Sequence, residues 1–423
     1  MLIYIRTFGC AHNQADSEMM AGLLEEAGHE LVASQKDAEL IIFNSCTVKD
    51  SSQKRFIDEV KKAATEKLVV IAGCVPQADP NNDELKPFSV VGVKQLHKVV
   101  DVVEKTAQGK LVKENARTPK NPPLVTPIRR RNPFIEIIPV NSGCLGKCTF
   151  CKTKHARGRL SSYHHEEILE KARLAIAAGA KELWLTSEDL GAYGRDINTN
   201  IVEIGKKVLD LEGEFRVRLG MANPPLILDI VDGIIELLQH TKCYKFLHIP
   251  VQSGSNKVLE NMRREYLVEE FEELVNKIKK EIPDITIATD IIVGFPGETE
   301  EDHKATMKLL KKYEFPVVNI SKFYARPDTP AAKMKPVQTK LAKERSKEIH
   351  EWFESLNPHE YLVGQTVRVL FTERNEKYPD QIIGHTPNYR EVVLKKGIVA
   401  LGEFAEVKIE STERFFLRGL VEK

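Results

Sequence analysis

The 423-residue chain has no long apolar run, no surplus of charge and few cysteines, and each lack removes a class of protein. No stretch of about 18 apolar residues occurs, so no membrane-spanning helix is expected. The start, MLIYIRTFGC, carries charge and a Gly-Cys pair where a secretory signal needs an unbroken apolar core. The reading is a soluble, cytoplasmic protein. Lys plus Arg is 62 and Asp plus Glu is 61, so the global balance announces neither nucleic acid nor membrane, and any basic surface must be local. Seven cysteines are too sparse for a disulfide scaffold, and in a reducing compartment cysteines at defined spacings hold metal or do chemistry. Internal repeats and low-complexity tracts are absent as well.

What is present is a core and an order. The chain is 42% hydrophobic, and at about 100 to 200 residues per domain its length predicts two to four domains. Residues 1–110 alternate β-rich runs (LIYIRTF, AELIIFNS, KLVVIAG, FSVVGV) with helical periodicity, the signature of a parallel-sheet α/β domain. Asp16 or Ser17 is the expected N-cap of the first helix and Gly28 its stop. Residues 111–133 read as a linker whose prolines forbid regular structure. From Lys105 to Pro133 there are eight Lys and Arg against Glu114 alone, and Arg129, Arg130 and Arg131 are candidates for phosphate contact. Residues 134–358 hold six βα units with no dinucleotide-binding glycine fingerprint, which predicts a partial (β/α)6 barrel. Residues 359–423 switch to short strands suited to a small antiparallel β-barrel. In it PNYREVVLKK offers Tyr389, Arg390, Lys395 and Lys396 for stacking and phosphate contact; an exposed edge strand guarded by lysines reads equally well.

Two sets of three cysteines carry the chemistry. Cys144, Cys148 and Cys151 in GCLGKCTFCKTKH have the spacing C-x3-C-x2-C directly after a predicted strand. Three thiolates on one loop hold three irons of a 4Fe-4S cluster and leave the fourth open to chelation by the amino and carboxylate groups of S-adenosylmethionine. The alternative is structural zinc, with His155 as fourth ligand. Cys10, Cys46 and Cys74 are far apart in sequence, yet each follows a predicted strand of the first domain, and in a parallel sheet all three project from the carboxyl edge. That placement suggests a second cluster. Cys243 has no partner and reads as structural.

These residues bring a resemblance with them. The chain resembles the radical S-adenosylmethionine methylthiotransferases along essentially its whole length, through TFGCAHNQADSE, NSCTV, GCVPQ, GCLGKCTFCKTKHARG, PVQSGSNKVLENMRREY, DIIVGFPGETEED and FYARPDTPAA. KTKHARGRLSSY, LTSEDLGAYGRD and RLGMANPP are similar to the archaeal and eukaryotic branch, which acts on threonylcarbamoyladenosine in tRNA. Bacterial relatives act on isopentenyladenosine or on a ribosomal protein. The ending GLVEK lacks the apolar tail of eukaryotic members, so the expectation is the soluble archaeal form. The resemblance implies addition of a methylthio group to carbon 2 of the modified adenosine next to the anticodon. It also implies two 4Fe-4S clusters, two molecules of S-adenosylmethionine per turnover, an electron donor, a sulfur source and a C-terminal TRAM-like RNA-binding barrel.

On that reading Cys144, Cys148 and Cys151 hold the cluster that cleaves S-adenosylmethionine, with the backbone around Phe150 meeting the adenine. Cys10, Cys46 and Cys74 hold the sulfur to be transferred. Polar residues at the strand ends are expected to grip the cosubstrate: Ser187, Glu188, Asp189, Asn223, Gln252, Ser253 and Asp290, with Glu188 facing the methionine amino group. Each also reads as a strand-end cap or turn residue. Thr299 and Asp302 are an expected helix-capping pair.

Overall fold

The computed structural model describes residues 1–47, 50–118 and 120–422; Val48 of the NSCTV stretch and Pro119 of the linker lie outside the described residues. The first domain is a six-stranded parallel sheet. Its strands are β1 (Leu2–Thr7), β2 (Glu30–Leu31), β3 (Leu40–Ser45), β4 (Leu68–Gly73), β5 (Ser89–Gly92) and β6 (Lys113–Glu114), in the order β2-β1-β3-β4-β5-β6. Its helices are α1 (Ala11–Glu26), α2 (Asp50–Ala63), α3 (Cys74–Ala78) and α4 (Val99–Ala107). Successive strand residues point to opposite faces. Leu40, Ile42, Val70 and Ala72 therefore pack with Met20 and Leu24 of α1 and with Val99 and Val102 of α4. Ile41, Phe43, Val69 and Ile71 pack with Phe56 and Val60 of α2. Covering on both faces explains why the strands read as unbroken apolar runs.

Two local expectations need correction. The first helix starts at Ala11 with Cys10 as N-cap, not at Asp16 or Ser17. Those residues lie inside α1, where Asp16 meets Arg157 and the Ser17 hydroxyl meets Thr7 and Asn44, so tertiary partners occupy groups that locally look like caps. The linker is not devoid of regular structure, since Lys113 and Glu114 add β6 to the sheet. It is also packed along its length. Leu124 is buried in the barrel core, the Arg129 N–H donates to the Glu18 carbonyl, and a Cβ on Gly22 would lie 2.4 Å from the Ile128 backbone.

The second domain carries β7 (Ile135–Pro139), β10 (Glu182–Thr186), β11 (Arg216–Leu219), β12 (Phe246–His248), β13 (Thr286–Val293) and β14 (Val317–Lys322) as two three-stranded parallel sheets. Bridges Val217↔Cys243 and Met221↔His248 join β11 to β12, and among the described residues β7 and β14 do not pair. The result is an open, six-stranded partial barrel. A short antiparallel pair, β8 (Asn141–Ser142) and β9 (Ser161–Ser162), brackets the cysteine loop. The helices are α5 (Thr153–Arg157), α6 (His165–Ala177), α7 (Ile201–Leu209), α8 (Val231–Gln239), α9 (Asn256–Met262), α10 (Val268–Glu281), α11 (Glu300–Tyr313) and α12 (Thr339–Glu354). Thr299 and Asp302 form the expected capping box at the start of α11. Among the described residues no helix is long and apolar enough to cross a membrane.

The last domain is a closed five-stranded barrel of β15 (Thr366–Arg374), β16 (Gln381–His385), β17 (Glu391–Lys395), β18 (Glu403–Thr412) and β19 (Phe416–Val421), in the order β15-β16-β17-β19-β18. It is not wholly antiparallel, because a closed ring with an odd number of strands requires a parallel pair, and β17 with β19 supplies it. This small barrel plugs the end of the large one where the strands begin. The Lys245 N–H donates to the Pro387 carbonyl (2.8 Å), Thr286 Oγ1 to the Asn388 carbonyl (2.5 Å) and Asn132 Nδ2 to the Thr372 carbonyl (2.9 Å). Glu182, fully buried at the base of β10, accepts from Trp184 Nε1 and Tyr244 Oη at 2.8 Å each and from Thr372 Oγ1 at 3.2 Å.

Candidate functional site

The carboxyl edge of the first sheet gathers three cysteines. Cys10 follows β1, Cys46 follows β3 and Cys74 opens α3 directly after β4. Asn13, one turn into α1 and buried, sits among them: its Oδ1 lies 3.5 Å from the Cys10 thiol, and its Nδ2 lies 3.2 Å from the Ser45 carbonyl and 3.7 Å from Cys74 Sγ. The two glycines that precede cysteines here are steric requirements. A Cβ on Gly9 would lie 2.7 Å from the Cys46 Cβ, and one on Gly73 would lie 2.5 Å from the Ser45 carbonyl oxygen, each at positive φ. Burial pushes the Cys74 thiol up to about 12, and Cys46 and Cys10 add to that rise while Arg157 opposes it. Cys10, whose residue surface is exposed, is also raised, by desolvation of its thiol and then by Cys46. The three sulfurs thus share one electrostatic site.

The second set lies on the loop between β8 and α5. The Gly146 N–H reaches Cys144 Sγ at 3.2 Å and the Thr153 N–H reaches Cys151 Sγ at 3.4 Å, while burial pushes Cys144 up to about 12. Thr149 ties the loop to the end of α9, through its N–H to the Met262 carbonyl and its hydroxyl to the Asn261 carbonyl. Phe150 anchors the loop by packing edge-on to Phe295 (6.3 Å), beside Met262 and Phe323. Arg264, buried, points Nη1 at Cys148 Sγ (3.1 Å) and Nη2 at the Pro250 carbonyl (3.1 Å) and Asn223 Oδ1.

Three thiolates on each side suit an iron–sulfur cluster, in which each thiolate binds its own iron and one iron is left open.

The helices that follow the two cysteine sites pack on each other. Helix α3, which starts at Cys74, packs on α5, which follows Cys151, and Cys74 and Ala78 share an apolar contact with Ala156. Ion pairs cross the seam. Lys152, buried beside Cys151, bonds Asp79, and Arg157 grips Asp16 with Nη2 at 2.6 Å and Nη1 at 3.4 Å. Glu188 belongs to this seam and not to the cosubstrate. Its Oε1 lies 2.8 Å from His12 Nδ1 and 3.4 Å from Arg157 Nε, and its Oε2 accepts from the Gly143 N–H at 2.9 Å. Burial raises this carboxyl, but His12 and Arg157 outweigh it and hold it at about 2. The expectation that Glu188 faces a methionine amino group is therefore corrected, because the Arg157 guanidinium, the His12 ring and the Gly143 N–H already surround its carboxylate.

The other strand-end residues divide. Asp189 caps the turn at Leu190–Ala192 and accepts from Asn223 N and Nδ2 at 3.1 and 2.7 Å, so these two side chains bond each other; burial raises Asp189 to about 6. Ser253 is buried against Thr306 and caps the Ser255 N–H, which makes it a turn residue and corrects its assignment to the cosubstrate. Ser187 accepts from the Asp189 N–H at 3.2 Å and is half-buried. Asp290 keeps part of its surface at the barrel mouth while bonding His248 and Asn319 at 2.8 Å each. Gln252 stands beside it at a φ of +69°.

Of the residues expected to meet RNA, Arg390 is buried and Tyr389 is partly buried. Tyr389 stacks on His385 (4.2 Å, 3°) and packs against Tyr244 and Phe246, with the Arg218 guanidinium 5.0 Å from its ring. The pair belongs to the plug between barrels, a correction with a steric cause: the Pro387–Asn388 turn inserts beneath β12 and β13. Arg130 is likewise committed to buried Glu136 at 2.5 Å, while Arg129 pairs with Glu25 and Arg131 with Glu376 at the surface. Lys395 and Lys396 remain exposed. Asn13, Arg157 and Arg264 had no assigned role in the sequence. Their only signal was position inside the quoted motifs.

An open parallel barrel with a C-x3-C-x2-C loop at its strand ends defines a radical S-adenosylmethionine enzyme, a class that carries a 4Fe-4S cluster and S-adenosylmethionine. Residues 138–310 match the radical SAM superfamily, residues 2–92 the uncharacterized protein family UPF0004 and residues 360–421 the TRAM domain. The structure is similar to that of the radical S-adenosylmethionine methyltransferase TsrM from Kitasatospora setae, with a TM-score of 0.56 and 15% identity over 78% of this chain and 76% of that one, a likeness of fold.

In sequence, the threonylcarbamoyladenosine tRNA methylthiotransferase of Homo sapiens is 45% identical over 99% of this chain and 73% of its own length. The probable threonylcarbamoyladenosine tRNA methylthiotransferase of Pyrococcus horikoshii is 38% identical over 99% of this chain and 98% of its own. The chain belongs to the threonylcarbamoyladenosine tRNA methylthiotransferase family.

Proposed function

We propose that this protein methylthiolates carbon 2 of N6-threonylcarbamoyladenosine next to the anticodon of tRNA, consuming two molecules of S-adenosylmethionine. The observation that carries the reading is the packing of α3, which opens at Cys74, on α5, which follows the Cys144, Cys148, Cys151 loop. The C–H bond at carbon 2 is unactivated, and no acid or base at neutral pH opens it readily. A 4Fe-4S cluster on Cys144, Cys148 and Cys151 would supply, when bound, the electron that converts S-adenosylmethionine to a 5'-deoxyadenosyl radical.

The chain's own residues do the rest by placement. Cys10, Cys46 and Cys74 hold the second cluster and with it the sulfur to be transferred, supplied by a separate sulfur source; a separate electron donor is also required. Arg264 orients Cys148 and neutralises charge beside it. Asp189, Asn223 and Arg264 form a continuous bonded row across the ends of β10 and β11 that fixes the floor beneath the cosubstrate. Asp290, Gln252 and Ser187 remain at the mouth to contact it. Lys395 and Lys396 meet tRNA phosphates, and a cytoplasmic location is compatible with a tRNA substrate.

The test is anaerobic reconstitution with iron and sulfide, then reaction with dithionite, S-adenosylmethionine and one of two tRNAs, carrying threonylcarbamoyladenosine or isopentenyladenosine. Nucleoside mass spectrometry is expected to show a methylthio mass gain on the first only. A gain on the second alone, or on neither with a loaded and reducible enzyme, contradicts the reading.

A further inference from the structure

One buried carboxylate touches both cysteine loops. Glu188 accepts from the N–H of Gly143, the residue before Cys144, and lies 2.8 Å from His12, which sits just beyond Cys10. Arg157, at the end of the helix that follows Cys151, bridges Glu188 to Asp16 of α1 and lies close enough to Cys74 to act on its thiol. The four side chains are nearly dry: the neighbouring cavity lined by His12, Asp16, Arg157 and Tyr163 measures about 30 Å³, room for about two waters.

Stability alone does not explain such a group. A buried ionic network is commonly no more stabilising than apolar residues of the same volume, and its best-attested use is to specify one geometry. The forked contact of Arg157 with Asp16 is directional, and Glu188 is held from three sides. Lys152 with Asp79 adds a further ion pair at the other end of α5. Among the described residues the sheets of the two domains share no strand pairing, and these ion pairs pin the domains together beside the two cysteine sites.

We propose that Arg157 and Glu188 are positioning residues that fix the separation and orientation of the Cys10, Cys46, Cys74 site relative to the Cys144, Cys148, Cys151 site. The claim rests on the reading that both sites hold clusters. It assigns no bond-making step to either residue. What they set is whether a radical generated at one site is used productively with the sulfur held at the other.

The experiment compares the reconstituted parent with Glu188→Gln, which keeps shape and the Gly143 contact, and Arg157→Lys, which keeps charge and loses the fork. Three quantities are read: iron per chain, the ratio of methylthiolated nucleoside to 5'-deoxyadenosine, and the magnetic interaction between the two reduced clusters by electron paramagnetic resonance. Iron content and 5'-deoxyadenosine formation are expected to stay close to the parent's. The ratio is expected to fall by about tenfold or more, since small displacements at a reacting centre cost that much, with a broadened interaction spectrum. An unchanged ratio and spectrum in both variants overturns the proposal, as does loss of iron from either site. If Glu188→Gln does not fold, Arg157→Lys carries the same comparison. If the parent itself makes no methylthio product, the proposed function fails while the interaction spectra still decide the positioning claim.

Discussion

At the scale of single residues, the site depends on what is small and on what is charged and buried. Gly73 sits at a φ of +92° with no room for a side chain. Gly73→Ala is expected to cost about 1–3 kcal/mol in backbone conformation alone, more with the clash against Ser45, and to lower iron loading at the first-domain site. Thermal melting and iron analysis check both. Arg264→Lys keeps a positive charge but cannot serve Cys148, Asn223 and Pro250 together; iron retention at the barrel site is expected to weaken by about tenfold, measured by chelator competition. The cysteines were legible in the sequence because thiols are rare and each triad has a recognisable placement, one by spacing and one by strand ends. Their arginine partners were not. Arg157 finds Asp16, and Arg264 finds Asn223, across separations that only folding closes. Glu188 was misassigned for the same reason: its close neighbour His12 comes from another domain.

At the scale of elements, strands and helices followed from periodicity, while the joints between domains did not. The PNYREVVLKK segment carries the residue types of an RNA contact, yet its turn lies under the barrel and holds Tyr389 against His385. Exposure is decided by neighbours that composition does not show. His385 is buried beside Glu182 and Glu373; burial lowers its affinity for a proton, but Glu182, 3.5 Å away, raises it above the ordinary 6.5. A histidine with a raised folded value adds stability that is complete below 6.5 and is lost as pH rises through that folded value. Denaturation of the parent is expected to become easier above pH 6.5, and His385→Gln to lack that loss. Equal pH profiles for the two proteins would contradict the ion pair. The linker shows the same limit, because its prolines announced irregularity but not that Ile128 would seat against Gly22 or Leu124 enter the barrel core.

At the scale of the whole molecule, a net charge of +1 leaves tRNA affinity to local clusters. Replacing Lys395 and Lys396 together by Ala is expected to weaken tRNA binding and reduce its salt slope by about one to two phosphates' worth, with iron content unchanged. A filter-binding series at several salt concentrations reads this directly. The small barrel closes the strand-start end of the large one, and the first domain packs at the other.

The central claim is a division of labour between two cysteine sites, and its most direct measurement uses Cys10→Ala and Cys148→Ala in parallel. Each reconstituted variant is given dithionite, S-adenosylmethionine and tRNA bearing threonylcarbamoyladenosine, and 5'-deoxyadenosine and methylthiolated nucleoside are quantified together. Cys10→Ala is predicted to form 5'-deoxyadenosine without methylthiolation, and Cys148→Ala to form neither; equal loss of 5'-deoxyadenosine in both would contradict the account.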